Sequence, residues 1–171
     1  MATPARPQDF VRGVPLWGTL VGVAHGEEIL AGAAYFPAVD ELLAAAPGQG
    51  CWWNGVRCRV SEVKELAAAT ALITDDRFAS DPVRRDAWRR LAERVQVSRT
   101  WGDCYGYLLV ATGRAEVMVD VGLNAWDIAC FVPILEEAGG RLTDFAGRRY
   151  PPLTNAIASN AALAGDVLRL F

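Results

Sequence analysis

The first third of the chain consists of short apolar runs separated by turn residues. The stretch "PLWGTLVGVAHGEEILAGAAYFP" holds two runs rich in β-branched, aromatic and small residues, joined by His-Gly-Glu-Glu. That pattern is typical of a β-hairpin. The stretch "DELLAAAPGQGCWWNGVRCRVS" follows with a Pro-Gly turn and an Asn54–Gly55 turn, and Asn-Gly between such runs is a strong hairpin signal. We therefore predict an antiparallel sheet over residues 10–60.

The remainder, residues 66–171, alternates between strand-like and helix-like segments, which predicts a mixed sheet with helices packed on it. Strands are expected at "TALIT", "VQVSRT", "AEVMVD", "RLTD" and "AIASN". Helices are expected over 82–94, from Asp103 to a C-terminal Gly113, from an Asn124 cap to Gly139–Gly140, and from an Asn160 cap to the last residue.

The pattern predicts an α/β fold and a single domain over residues 1–171, with one structural oddity. The antiparallel sheet starts abruptly at Phe10, and no helix precedes it to cover one of its faces. An uncovered apolar sheet face needs a partner. We therefore expect missing sequence or another chain to pack there.

Composition narrows the class of protein. The chain has 171 residues, 52% apolar and 22% charged, with a net charge of −3, which is a globular composition. This mild acidity argues against nucleic acid as a main partner, since nucleic-acid binding usually needs a basic face. No apolar run is long enough to cross a membrane, and "MATPARPQDF" lacks the apolar core of a signal peptide. We expect a cytoplasmic protein.

The four cysteines form no CxxC motif, and no histidine cluster accompanies them, so we expect no zinc site. They are Cys51, Cys58, Cys104 and Cys130. In a cytoplasmic protein they should be reduced thiols. A link between Cys51 and Cys58 remains open.

Candidate chemistry is carried by carboxylates. The one histidine, His25, lies in a predicted turn. Asp103, Asp120 and Asp127 each stand where a strand meets a helix, and ligands of α/β sheets gather at the carboxyl ends of strands. Oxygen ligands of this kind suit Mg²⁺. Ordinary structural roles stay open: an acid in the first helical turn for Asp127, a helix cap for Asp103, and a solvated strand end for Asp120.

Two segments resemble the inositol monophosphatase superfamily. "NAWDIACFVPILEEAGGRLTDFAG" is similar to its second signature, and "WGDCYGYLLVATGRAEVMVD" to the segment before it. The segment Gly-Asp-Cys-Tyr-Gly-Tyr resembles the corresponding segment in the branch of the superfamily that acts on histidinol phosphate, in histidine biosynthesis. The resemblance covers residues 10–160. It implies a layered α/β/α/β/α fold and a Mg²⁺-dependent phosphomonoesterase in which two or three Mg²⁺ ions activate a water molecule.

The resemblance also implies roles for individual residues. Asp127 would be a metal ligand, and Asp120 would bind the leaving group of the substrate. The substrate pocket would be lined by Gly102, Asp103 and Cys104, with Arg99 nearby. The expected partner is a small phosphorylated metabolite, and a homodimer is possible.

The first signature of the superfamily, Asp-Pro-Ile/Leu-Asp-Gly-Thr, has no match. Where it should precede Phe10, the chain reads "MATPARPQDF", and the upstream helices are also unmatched. Asp127 is then the one matching carboxylate ligand, and Mg²⁺ needs a fuller shell. We therefore expect an N-terminally truncated, weak or inactive enzyme related to histidinol phosphatases. The alternatives are an inositol-phosphate or sugar-phosphate phosphatase, and a non-catalytic remnant that binds a phosphorylated ligand or a homologous chain.

Overall fold

The computed structural model describes residues 2–4, 7–78, 81–149 and 154–171, with side chains from Phe10 onward. Its first part is a six-stranded antiparallel sheet in which the strands pair in chain order. The strands are β1 (Ala2–Pro4), β2 (Thr19–His25), β3 (Glu28–Phe36), β4 (Glu41–Ala46), β5 (Gly50–Trp53) and β6 (Val56–Cys58).

Both predicted hairpins are confirmed. His25 pairs with Glu28 across a two-residue turn between β2 and β3. Asn54 and Gly55 both have positive φ, 47° and 79°, which is the turn whose twist matches that of the flanking strands.

The start of the sheet differs from the prediction. Phe10 lies in a short helix, α1 (Pro7–Arg12), and β2 begins only at Thr19. Pro7 is suited to the first position of a helix. Pro15 has no N–H to give to a strand ladder, so β2 cannot extend back through it.

The second sheet is mixed, with the order β10-β11-β9-β7-β8. Its strands β7, β8 and β9 run parallel, whereas β11 runs antiparallel to both of its neighbours, β9 and β10. All five predicted strands are present: β7 (Thr70–Ile73), β8 (Val97–Arg99), β9 (Val117–Val121), β10 (Gly140–Thr143) and β11 (Asn155–Asn160).

The helices after α1 are α2 (Pro82–Ala92), α3 (Asp103–Ala111), α4 (Ala125–Ile128), α5 (Phe131–Glu137) and α6 (Ala164–Leu168), with a 3-10 turn at Leu66–Ala68. Helix α2 starts as predicted, with the side chain of Asp81 accepting a hydrogen bond from the Arg84 N–H at 3.1 Å. Helix α3 also ends as predicted, and Gly113 follows with φ of 72°.

Two helix predictions are wrong in extent. The helix expected from Asn124 to Gly139 is divided into α4 and α5 at Ala129–Cys130. Pro133 is the cause, because it has no N–H for the Ala129 carbonyl and its ring crowds that group. The last helix starts only at Ala164, since the Asn160 side chain accepts from the Leu163 N–H and fixes a preceding turn.

Helices α3, α4 and α5 lie between the two sheets. Helix α5 packs on β3, β4 and β5 on one side and on β10 on the other. The approach is so close that a Cβ on Gly32 would lie 2.0 Å from the Cys130 carbonyl oxygen. On the far face of the mixed sheet, Ile73 and Val119 pack with α2 and α6 through Trp88 and Val167.

The opposite face of the antiparallel sheet is apolar and exposed, as predicted. Val23 is 50% exposed and Trp52 is 40% exposed. Between them lies a groove of about 360 Å³ floored by alanines. We call this surface the outer face; its larger side chains are Val21, Val23, Tyr35, Leu42 and Trp52.

Candidate active site

The carboxyl ends of β7, β8 and β9 lie at one edge of the mixed sheet because these strands are parallel. Helix α3 begins soon after β8, and α4 soon after β9. A cavity of about 30 Å³ opens at this edge. We call it the carboxylate cavity; it is lined by Asp103, Cys104, Tyr107, Asp120, Gly122, Leu123 and Asp127.

The start of α3 is held tightly against the end of β7. Gly102 is the residue that caps the helix, and a Cβ there would lie 2.4 Å from the Thr74 Cα. The Asp103 N–H donates to the Thr74 hydroxyl at 2.8 Å. Asp103 has φ of 51°, a conformation uncommon outside glycine and found at functional sites. Asp103 is thus not the cap but the first helical residue.

Asp120 lies near the end of β9 and is only 3% exposed. Its Oδ1 accepts a hydrogen bond from the Val121 N–H at 2.9 Å. Its Oδ2 is 3.4 Å from the Tyr107 hydroxyl. The reading of Asp120 as a solvated strand end is therefore wrong, because the carboxylate is buried against the cavity.

Asp127 lies in the first turn of α4. Its Oδ2 accepts hydrogen bonds from the backbone N–H of Asn124 at 2.9 Å and from the Asn124 side-chain amide at 3.1 Å. The first-turn structural role is thus confirmed. The same carboxylate lines the cavity, so capping and ligand binding are compatible in this residue.

The remaining predicted site residues divide between the cavity and its surroundings. Cys104 is buried, with its thiol 3.6 Å from the Leu16 carbonyl oxygen, and it lines the cavity. Arg99 ends β8; its guanidinium bonds to the Ser98 carbonyl oxygen and lies 5.9 Å from the Trp101 ring. The structure does not bring Arg99 or Gly102 into the cavity lining.

Tyr107, Gly122 and Leu123 complete the lining, and the sequence reasoning missed them. The signal for Tyr107 was available: it follows Asp103 by four residues on a predicted helix, and residues four apart share a helix face. Gly122 and Leu123 lie in the segment joining Asp120 to α4. This segment has no helical or strand periodicity from which to predict which of its residues face the cavity.

Cys51, Cys58 and His25, which the sequence also singled out, are not among the residues that line the carboxylate cavity. The four cysteines form no disulfide. The thiols of Cys51 and Cys58 face each other across β5 and β6, with 3.4 Å between their sulfur atoms. His25 is exposed in its turn.

The cavity is small and acidic. A volume of about 30 Å³ is comparable to the space of one water molecule in the liquid. It accommodates water or an ion, whereas a phosphorylated metabolite must lie across its mouth. Three carboxylates line it, so a cation or a hydrogen-bond donor placed at the mouth would be attracted to it.

The lining fits a magnesium site only in part. Within the described ranges, no three His, Cys, Asp or Glu side chains are placed to hold one metal ion together. The two- or three-ion site that the resemblance implies is therefore not formed by these residues.

No helix in the described part of the chain is long and apolar enough to cross a membrane.

Comparison with known proteins finds relatives along most of the chain. The pattern that defines the inositol monophosphatase family matches residues 8–170. The chain is 39% identical over 142 residues to the histidinol-phosphatase of Chlorobaculum parvum, covering 83% of this chain and 55% of that protein. It is 31% identical over 166 residues to the fructose-1,6-bisphosphatase/inositol-1-monophosphatase of Thermotoga maritima, covering 95% of this chain and 62% of that protein.

Among solved structures, the extragenic suppressor protein suhB from Bartonella henselae superimposes with a TM-score of 0.89 at 27% identity. The match covers 99% of this chain and 70% of that one. The fold is therefore that of the family. The chain spans between 47% and 70% of the length of the relatives it matches.

Proposed function

Because the chain belongs to the inositol monophosphatase family, we propose that it forms part of a phosphomonoesterase. The carboxylate cavity would bind a small phosphorylated metabolite. The observation that carries this proposal is the meeting of Asp103, Asp120 and Asp127 at one cavity, at the edge of the sheet where α/β proteins bind ligands.

We propose histidinol phosphate as the first substrate to test. The support is the similarity to the Chlorobaculum parvum enzyme and the Gly-Asp-Cys-Tyr-Gly-Tyr segment at the start of α3. An inositol or sugar phosphate is the second choice, supported by the Thermotoga maritima relative. The four cysteines without disulfides are consistent with action in the cytoplasm.

The geometry supports a division of roles. Asp120, which is buried and held by two donors, would accept a hydrogen bond from the alcohol end of the substrate. The Asp103 N–H is engaged by the Thr74 hydroxyl, so an anion beside Gly102, Asp103 and Cys104 would be bound by the remaining backbone N–H groups in the first turn of α3. Arg99 would lie near the mouth.

We propose that Asp127 supplies one ligand to a Mg²⁺ ion, which would polarise the phosphoester when bound. The described residues provide no matching second carboxylate ligand from the first signature. One carboxylate with substrate phosphate binds Mg²⁺ weakly, since this ion surrenders its water reluctantly. The 171-residue chain alone should therefore be a poor catalyst.

Phosphate release from histidinol phosphate and inositol phosphate, with and without Mg²⁺, tests the proposal. We expect the 171-residue chain to have a kcat far below the value of about 10 per second that is typical of enzymes. A chimera that adds the unmatched part of the Chlorobaculum parvum enzyme should gain Mg²⁺-dependent release. A family-like rate from the chain alone would refute the weak-activity proposal, and an inactive folded chimera would refute the phosphatase proposal.

The outer face supports a second proposal, that two copies of the chain associate through it. Exposed apolar patches of this kind mark interaction sites. Sedimentation analysis should show a dimer that Val23→Asp converts to monomer. A wild-type monomer at all concentrations would refute the proposal.

A further inference from the structure

Tyr107 is a buried tyrosine that lines the carboxylate cavity. It is 1% exposed, and its ring stacks on that of Phe131 with 4.7 Å between centroids. The stack joins α3 to α5 and fixes the direction of the side chain. A buried tyrosine hydroxyl needs a hydrogen-bond partner, and here the partner is a carboxylate.

The hydroxyl of Tyr107 lies 3.4 Å from Asp120 Oδ2. This is longer than the 2.7–2.8 Å usual for such bonds. Bonds of this kind often shorten when a ligand binds. Since the Val121 N–H holds Oδ1, each oxygen of Asp120 has a donor of its own, and the plane of the carboxylate is set.

Tyr107 acts as a donor to this carboxylate. Burial, followed by the charge of Asp120, raises the pKa of the Tyr107 hydroxyl well above its ordinary value. The hydroxyl therefore keeps its proton at any pH at which the protein works, and it can only donate to an ionised Asp120.

The same helix contains a natural comparison. Tyr105, two residues earlier, donates its hydroxyl to Glu41 Oε1 at 2.8 Å. Glu41 is at the same time paired with Arg114, away from the cavity lining. The Tyr105 bond therefore stabilises a structural ion pair, whereas the Tyr107 bond acts on a carboxylate that faces the cavity.

We propose that Tyr107 is a positioning residue, which holds the Asp120 carboxylate in the orientation that accepts the alcohol end of the phosphorylated metabolite. This inference rests on the proposed function. Tyr107 acts through Asp120 and not on the phosphate group, so it contributes to the choice of alcohol and not to the binding of inorganic phosphate.

The test compares Tyr107→Phe with the matched control Tyr105→Phe in the 171-residue chain. Calorimetry with Mg²⁺ present measures affinity for histidinol phosphate and for inorganic phosphate. Tyr107→Phe should lower the affinity for histidinol phosphate by about tenfold, the factor expected for loss of one hydrogen bond to a charged group. Phosphate affinity should not change, and Tyr105→Phe should leave both unchanged.

Three results would overturn the inference. The two variants could lower the affinity for histidinol phosphate equally, Tyr107→Phe could lower the affinities for both ligands equally, or Tyr107→Phe could leave the affinity for histidinol phosphate unchanged. Asp120→Asn provides a further check. If Tyr107 acts through Asp120, adding Tyr107→Phe to Asp120→Asn should produce no additional loss of affinity. An additive loss would show that Tyr107 acts on the ligand in another way.

A ligand-free measurement separates this inference from the proposed function. The Val121 amide resonance reports on the Asp120 carboxylate, which it contacts. It should shift in Tyr107→Phe and stay in place in Tyr105→Phe. If the wild type binds no phosphoester, the proposed function fails, and an unmoved Val121 resonance overturns the positioning role by itself.

If Tyr107→Phe does not fold, fluorotyrosine labelling replaces it. The ¹⁹F resonance of Tyr107 should then move when Asp120→Asn removes the charge it donates to, and no movement would overturn the inference.

Discussion

Helix α3 carries two tyrosines that each reach a buried carboxylate, and the two carboxylates do different work. Tyr105 and Arg114 both bind Glu41, so the acid is matched by a cation and joins β4 to the segment after α3. Tyr107 reaches Asp120 beside two further acids, at the carboxyl edge of the parallel strands. A carboxylate matched within the fold stabilises it, whereas acids gathered at a cavity favour an external ligand.

The largest effect should come from Asp127→Asn in the chimera that adds the unmatched part of the Chlorobaculum parvum enzyme. Asn keeps the shape and part of the capping, but it removes the charge proposed to bind Mg²⁺. We expect Mg²⁺-dependent phosphate release to be abolished, while the free energy of unfolding falls by less than about 1 kcal/mol. A larger loss of stability with activity retained would show that Asp127 serves only the helix.

Glu41→Gln and Asp120→Asn should have opposite signatures. Glu41→Gln leaves Arg114 without its partner. We expect a loss of roughly 2 kcal/mol, less than the 3–5 kcal/mol of a fully buried pair because Arg114 keeps part of its exposure to water. Asp120→Asn keeps the shape of the side chain and an acceptor for the Val121 N–H, so stability should change little while affinity for histidinol phosphate falls. Urea unfolding and calorimetry measure both; equal destabilisation by the two variants would remove the distinction.

The pH dependence of stability should follow Glu41. Burial raises its pKa, but hydrogen bonds from Arg114 and Tyr105 outweigh that effect and leave the pKa below its ordinary value of 4.5. A carboxylate with a lowered folded-state pKa contributes stability above its unfolded pKa and loses it as the pH falls through the folded pKa. The wild type should therefore lose more stability below pH 4.5 than Glu41→Gln does. Parallel stability curves for the two proteins would contradict this prediction.

Much of the fold follows from local signals in the sequence. The Asn54–Gly55 turn, the Asp81 cap with Pro82, and Gly113 after α3 each dictate a local conformation, and each is found as predicted. The errors arise where one residue overrides a longer pattern. Apolar spacing favoured one helix after Asn124, but Pro133 divides it.

The site could be predicted only as a set of acids near one sheet edge. Strand direction places Asp103, Asp120 and Asp127 at that edge, and the sequence indicates that direction. The hydroxyl of Tyr107 reaches Asp120 through the packing of α3 on β9 and the stack on Phe131. Such contacts depend on side-chain packing across elements, which local patterns do not determine.

The most direct test of the proposed site is an amide NMR titration of the 171-residue chain with histidinol phosphate in the presence of Mg²⁺. We predict that the amides of Asp103, Cys104, Val121 and Asp127 shift together and saturate, and that Asp120→Asn raises the ligand concentration needed for saturation. Shifts confined to other parts of the surface, or cavity shifts that saturate at the same concentration in Asp120→Asn, would contradict a substrate site at the carboxylate cavity.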